Sequence, residues 1–242
     1  MKASTEDLIR ARHLAFVGRV TASLSHEIKN TLAIIGESSG LMGDLLDYTA
    51  PPAEWAPYPR LKRLLTTIAE QVERSVVIIK RLNRFAHSMD EELVALELND
   101  LLKEITNLAQ RFARLREVGL ETRLCSESLN MRSDPFRIQQ VVFHFIEVSL
   151  RFAPKNTTVT VASRRDKGAG QVVITDEAPP RAEWLKKQIS PPHPSLAETE
   201  EQSDPDLGVL GPTMAKLGGS IEAEDLHPQG NRVTVTFPLE KG

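Results

Sequence analysis

From Thr5 to Tyr48 the chain contains no proline and keeps a helical period. Apolar residues recur at Val17, Val20, Leu24, Ile28, Ile35, Leu41, Met42 and Leu45, mostly three, four or seven apart, which marks one face of a long helix for burial. Ser4 or Thr5 can cap its free N–H groups, Glu6 and Asp7 suit the positive end of its dipole, and Pro51-Pro52 forbid its continuation. After a connection over residues 51–59, with Trp55 and Tyr58 inside it, a second helix is expected from about Arg60 to Ser88. Its apolar stripe is Leu61, Leu65, Ile68, Val72, Ile79, Leu82 and Ala86, with the same spacing. Two long amphipathic helices joined by a short loop make an antiparallel hairpin, and two helices alone leave apolar surface uncovered. A homodimer that closes a four-helix bundle from two hairpins is the economical solution.

On the first helix Leu24 and Ile28 face inward. His26 follows Leu24 by two residues, about 200° around the axis at 3.6 residues per turn, so it faces outward. A histidine in a helix is more often a core residue, and the geometry argues against that here. Asn30 is one turn further on the same side, and Glu27 is adjacent. An exposed imidazole with a carboxylate and an amide near it suits proton or phosphoryl chemistry; the plain alternative for His26 is a solvated surface histidine.

Beyond Asp90–Ala95 the character changes, and strands alternate with helices as in an α/β sandwich. The expected organisation is therefore α+β, with a dimerisation and histidine-bearing hairpin over 1–90 and a sandwich over 91–242. Asn99–Leu115 reads as a helix capped by Asn99, and Leu120–Leu124 and Leu129–Arg132 read as short strands. Asp134–Phe152 reads as a helix with Asp134 as N-cap and Pro135 at its first position. Thr157–Ser163 and Gln171–Thr175 flank Lys167-Gly168-Ala169-Gly170 as a hairpin. A short helix is expected over Arg181–Gln188, a loop over Ser190–Pro205, and a helix over Pro212–Leu217 ended by Gly218-Gly219. Ser220–Glu224 and Arg232–Pro238 close the domain as strands. His13, His87, His193 and His227 lack partners at catalytic or metal spacing and read as surface residues. His144, between Phe143 and Phe145, reads as a satisfied or half-buried structural histidine.

Composition narrows the function classes. A net charge of −3 gives no footprint for nucleic acid. The single cysteine, Cys125, excludes an internal disulfide framework and a cysteine-based metal cluster. No apolar run approaches the roughly 20 residues of a membrane span, and the polar N-terminus is unlike a signal peptide. The expectation is a cytoplasmic protein with no membrane insertion, no nucleic-acid partner and no metal site.

His26-Glu27-Ile28-Lys29-Asn30 resembles the H-box of two-component sensor histidine kinases, H-E-I-K-N-P-L, with Thr31 in place of the proline. Leu96–Asp100 with Leu101–Leu115 is similar to the start of that family's ATP-binding domain. Asp134–Val142 resembles its D-x-x-R-L-x-Q-V-L run, and Gly218-Gly219-Ser220-Ile221 with Val233–Leu239 its last turn and strand. The resemblance covers nearly the whole chain. It implies a phosphoacceptor role for His26, a basicity-raising carboxylate in Glu27, and a water-positioning amide in Asn30.

The nucleotide motifs depart from the family's. His144 and Val148 stand where it has two asparagines, the second of which holds magnesium; valine offers no oxygen to a hard cation. Glu147 points about 100° away from the Val148 position and is a poor substitute. The D-x-G-x-G motif reads Asp176-Glu177-Ala178-Pro179-Pro180. Asp176 stands at the adenine-reading position, but Ala178 and Pro180 replace glycines that let backbone approach a nucleotide. Of the glycine-rich lid, Gly208 and Gly211 remain. Asp176, Gly208 and Gly211 thus read as remnants of a nucleotide site, and the expectation is that ATP binding is lost and no cofactor is held; ATP with magnesium would be the ligands of a site that still worked. The resemblance then implies a phosphorelay protein that exchanges phosphoryl groups between His26 and a response-regulator receiver aspartate, by transfer, by phosphatase action or by both. A separate sensor or a hybrid kinase is a further possible partner. The alternatives are an ATP-dependent autokinase with divergent motifs and a non-enzymatic dimeric adaptor for a receiver.

Overall fold

The computed structural model describes residues 5–48, 58–87, 93–189 and 207–240. Helix α1 spans Thr5–Asp47 and α2 spans Tyr58–His87. The expected cap at Ser4, Trp55 in the connection and the loop over Ser190–Pro205 lie outside the described residues. Helix α2 starts earlier than expected because Pro59 falls in its first turn, where a missing N–H leaves no helical bond unmade. Residues 18–87 form one compact unit; those up to Val17, with those after His87, form the other.

In the helical unit α1 buries Val20, Ser23, Leu24, Thr31 and Ser38 and half-buries Ile28, Ile35, Met42 and Leu45. These are the three-and-four spacing of a single seam. Polar members are accommodated locally, since Thr31 Oγ1 donates to the Glu27 carbonyl at 2.8 Å and the helix runs on unbroken where the resembled motif has proline. Helix α2 differs from its expected stripe. Leu61, Leu64, Ile68, Gln71, Ser75 and Ile78 form its buried or half-buried face. Leu65, Val72 and Ile79 are 51%, 48% and 45% exposed, with Val76 beside them. The helix is apolar on two faces, and periodicity alone ran the two together.

Within the second unit, strand β1, Val94–Glu97, is an element that the sequence does not announce. Helix α3, Leu98–Leu115, follows directly. Its cap is Glu97 rather than Asn99: Glu97 Oε2 accepts from Asp100 N at 3.0 Å while Oε1 accepts from Leu129 N at 2.9 Å. Asn99 is instead buried, donating to the carbonyls of Cys125 and Glu127 and accepting from Ser163 Oγ at 2.6 Å. Strands β2, Gly119–Arg123, and β3, Asn130–Ser133, precede helix α4, Pro135–Phe152. Asp134 caps α4 as expected, its carboxylate accepting from Arg137 N at 2.9 Å. The hairpin of β4, Thr158–Asp166, and β5, Ala169–Asp176, turns through Lys167 and Gly168, both at positive φ. After α5, Ala182–Ile189, come a 3-10 turn over Leu207–Val209, helix α6, Leu210–Leu217, and strands β6, Ser220–Asp225, and β7, Asn231–Pro238. Gly218 ends α6 in the left-handed conformation at φ 67, a position that favours glycine.

Five strands form one sheet in the order β2-β4-β5-β7-β6, and β1 pairs with β3 separately. Only β2 and β4 run parallel in the large sheet, as their connection through α4 requires. Val159, Val161, Val172, Ile174, Val233 and Val235 are buried along the face that receives the helices. The fold is thus α+β, a helical hairpin followed by a sheet-and-helix domain. Phe16, on α1 but absent from the expected stripe, belongs to this second unit. It is buried with its ring centroid 5.7 Å from Phe136 and 5.2 Å from Phe143, and Phe112 meets Phe143 edge-on at 5.4 Å.

Candidate functional site

Helix α1 carries His26 and Asn30 on its exposed side, one turn apart, with Glu27 half-buried on the flank. The outward direction follows from Leu24 being buried two residues earlier. Such an imidazole can meet a partner's reactive group without rearrangement of the helix.

At the resembled magnesium position, Val148 is 1% exposed and packed in the core of α4. No oxygen is offered there. His144 is buried, deeper than the half-buried structural histidine expected, with Nδ1 3.9 Å from Glu147 Oε2. Among the described residues no group of three or more His, Cys, Asp or Glu is placed to hold a metal ion.

The sheet ends in a polar row. Asp176 on β5 is in register with Asn231 on β7, which is in register with Asp225 on β6. Arg181, just before α5, spans this row. Its backbone N–H lies 2.9 Å from both Asn231 Oδ1 and Asp225 Oδ1, and Ala182 N donates to Asp225 Oδ1 at 2.8 Å, so Asp225 serves as the acceptor for the first amides of α5. The Arg181 side chain returns to Asp176. Nη1 donates to Oδ1 at 3.1 Å and Nη2 donates to Oδ2, a bidentate pair with both groups buried. Oδ1 also accepts from Ala178 N at 3.0 Å and from Asn231 Nδ2 at 3.1 Å. Both carboxylate oxygens of Asp176 are therefore engaged within the protein. The guanidinium lies 5.2 Å from the Phe152 ring centroid, and Phe152 meets Trp184 at 5.5 Å.

Gly211 has an architectural explanation, whereas a Cβ at Gly208 would meet nothing nearer than the Gln188 carbonyl oxygen at 4.0 Å. A side chain at Gly211 would place its Cβ 2.5 Å from the Ile189 carbonyl oxygen, so glycine is what lets α6 start against the end of α5. Gly208 sits in the 3-10 turn just before. Sequence reasoning placed Arg181 only as a helix-start residue. An arginine five positions after the aspartate was the one local hint, and its other partners lie on distant strands.

A helical hairpin with an outward histidine in an H-box-like run, followed by this sandwich, is the arrangement of a two-component histidine kinase core with a GHKL-type ATPase domain, and the chain resembles that class. Similar proteins point the same way. The chain is 24% identical over 232 residues to the sensor histidine kinase ZraS of Salmonella typhi, covering 95% of this chain and 47% of that protein. It is 22% identical over 239 residues to sporulation kinase A of Bacillus subtilis strain 168, covering 98% of this chain and 37% of that protein. The chain thus spans about half or less of the length of these relatives. The fold matches the catalytic domain of histidine kinase ThkA with a TM-score of 0.53 at 20% identity, covering 62% of this chain and 97% of that one. No family model matches the chain.

Proposed function

We propose that this chain is a phosphotransfer module that exchanges phosphoryl groups between His26 and the phosphorylated aspartate of a receiver domain, without a nucleotide of its own. The observation that carries the reading is a contrast in availability: His26 is exposed, whereas both oxygens of Asp176 are held by Arg181. The residues present do not fit ATP with magnesium. Val148 replaces the oxygen ligand, Pro180 lacks an N–H, and the carboxylate meant for the base is engaged.

In the forward step an imidazole nitrogen of His26 attacks phosphorus. The new P–N bond forms as the acyl phosphate P–O bond breaks, and the aspartate leaves as carboxylate. The imidazolium so formed loses its proton, with Glu27 the adjacent acceptor. The receiver supplies the metal ion and acidic pocket that screen the charge on the transferring group. In the draining direction Asn30 holds the water that attacks the receiver's phosphoaspartate.

The partner copy is this chain itself. Leu65, Val72, Val76 and Ile79 on α2, and Ile34 and Leu41 on α1, are exposed at helical spacing, and a second hairpin covers them by closing a four-helix bundle. No helix among the described residues is long and apolar enough to cross a membrane.

The test is label transfer from a receiver phosphorylated by a small-molecule acyl phosphate donor, with no ATP present. Acid-labile label on the wild-type chain, absent from His26→Gln, is the expected result. No exchange in either direction with any candidate receiver overturns the reading. Function in cells retained by His26→Gln would favour the adaptor instead, and magnesium-dependent γ-phosphate transfer from ATP to His26 would favour the autokinase.

A further inference from the structure

We infer that Arg181 is the built-in occupant of the base position on Asp176, and that removing this one side chain opens a slot for a planar amidine- or aminopurine-type ligand. The inference rests on the reading above that the native chain holds no nucleotide, and it names what excludes the base.

A guanidinium is planar and presents paired N–H donors in a rigid fork, the geometry in which a carboxylate receives the edge of an amidine and, with one donor, an aminopurine. Here that plane is set on Asp176 by two hydrogen bonds, with the Phe152 ring 5.2 Å away and Trp184 against Phe152 behind it. An aromatic ring beside a buried carboxylate is the environment that a flat, donor-bearing heterocycle would use. The fit to arginine is incomplete. Nε is buried with no hydrogen-bond partner among the described residues, whereas a ligand lacking that N–H would leave nothing unsatisfied there.

The backbone argues that the slot outlives the side chain. Arg181 N is held by Asn231 and Asp225, and Ala182 N by Asp225, none of which involves the guanidinium. Asn231 Nδ2 also donates to the carbonyls of Ala178 and Pro179 at 3.1 Å each. Truncation at Cβ therefore leaves the turn from Asp176 to α5 tied down and Asp176 still aimed into the vacated space. The negative charge left behind selects for cations and strong donors. Because the slot recognises a base edge and has no phosphate cradle, adenosine should bind as well as ADP, and magnesium should make no difference.

The experiment is thermal melting and calorimetric titration of the full chain as wild type, Arg181→Ala, and Asp176→Asn with Arg181→Ala. The probes are methylguanidinium, adenosine, and ADP with and without magnesium. Wild type should respond to none of them beyond a small general effect of methylguanidinium. Arg181→Ala should melt lower and recover by about 3–5 °C at roughly tenfold the ligand's dissociation constant, with adenosine and ADP equivalent. The double variant should lose this recovery. If Arg181→Ala is unfolded by itself, the readout becomes return of the helical circular-dichroism signal on refolding with methylguanidinium. A wild-type chain that binds ADP overturns the reading of a lost nucleotide site. A wild type that binds nothing, with Arg181→Ala that gains no ligand, overturns the inference alone and leaves that reading standing.

Discussion

The outer face of α1 around His26 and the sheet end around Asp176 are both polar, and both carry the residue types of chemistry, yet they differ in what remains for a partner. On α1 His26 and Asn30 stand at solvent, and Thr31 of the buried seam is satisfied locally by the Glu27 carbonyl. At the sheet end the acceptors are used within the protein: buried Asp176 holds Arg181, Asn231 and Ala178, and Asp225, on the exposed edge strand, holds the start of α5. Desolvated carboxylates demand partners, and here Arg181 supplies one to the buried Asp176. Motif residues thus mark a place in the fold, and the hydrogen-bond inventory decides whether that place is open.

Several changes would break or sharpen this contrast. His26→Gln should have the largest effect, abolishing phosphoryl acceptance in the ATP-free assay while circular dichroism stays at the wild-type level. Asp176→Ala should act on stability, because it strands the buried Arg181. A loss of about 3–5 kcal/mol in urea unfolding is expected, with much of it recovered in Asp176→Asn combined with Arg181→Met. Unchanged stability in Asp176→Ala would mean that the pair is not structural. Phe16→Ala, which empties the contact with Phe136 and Phe143, should cost about 3 kcal/mol by the same measurement. Val72→Glu with Ile79→Glu should raise the dimer dissociation constant by about 100-fold in sedimentation, while leaving a folded chain. Least affected should be Thr31→Ala, at about 1 kcal/mol, with transfer to His26 unaltered.

The His26 face was legible because helical periodicity is local: Leu24 buried implies His26 exposed two residues later. The Asp134 cap was legible for the same reason. Glu97 took the role expected of Asn99 because β1 pairing with β3 brings Leu129 N and the turn carbonyls of 125–127 to that corner. Arg181 was not legible as a site residue. Its backbone partners Asp225 and Asn231 lie 44 and 50 positions away, and sheet register alone brings them to it.

What this sequence determined by itself is the run of elements apart from β1, the outward histidine and the missing donors at Val148 and Pro180, since each depends on a residue and its near neighbours. Tertiary structure alone decided which apolar face of α2 turns inward, that Phe16 joins the sandwich, and that Asp176 is taken. Those outcomes depend on burial, and burial of a face, a ring or a carboxylate is set by groups distant in the chain that compete to exclude the same water.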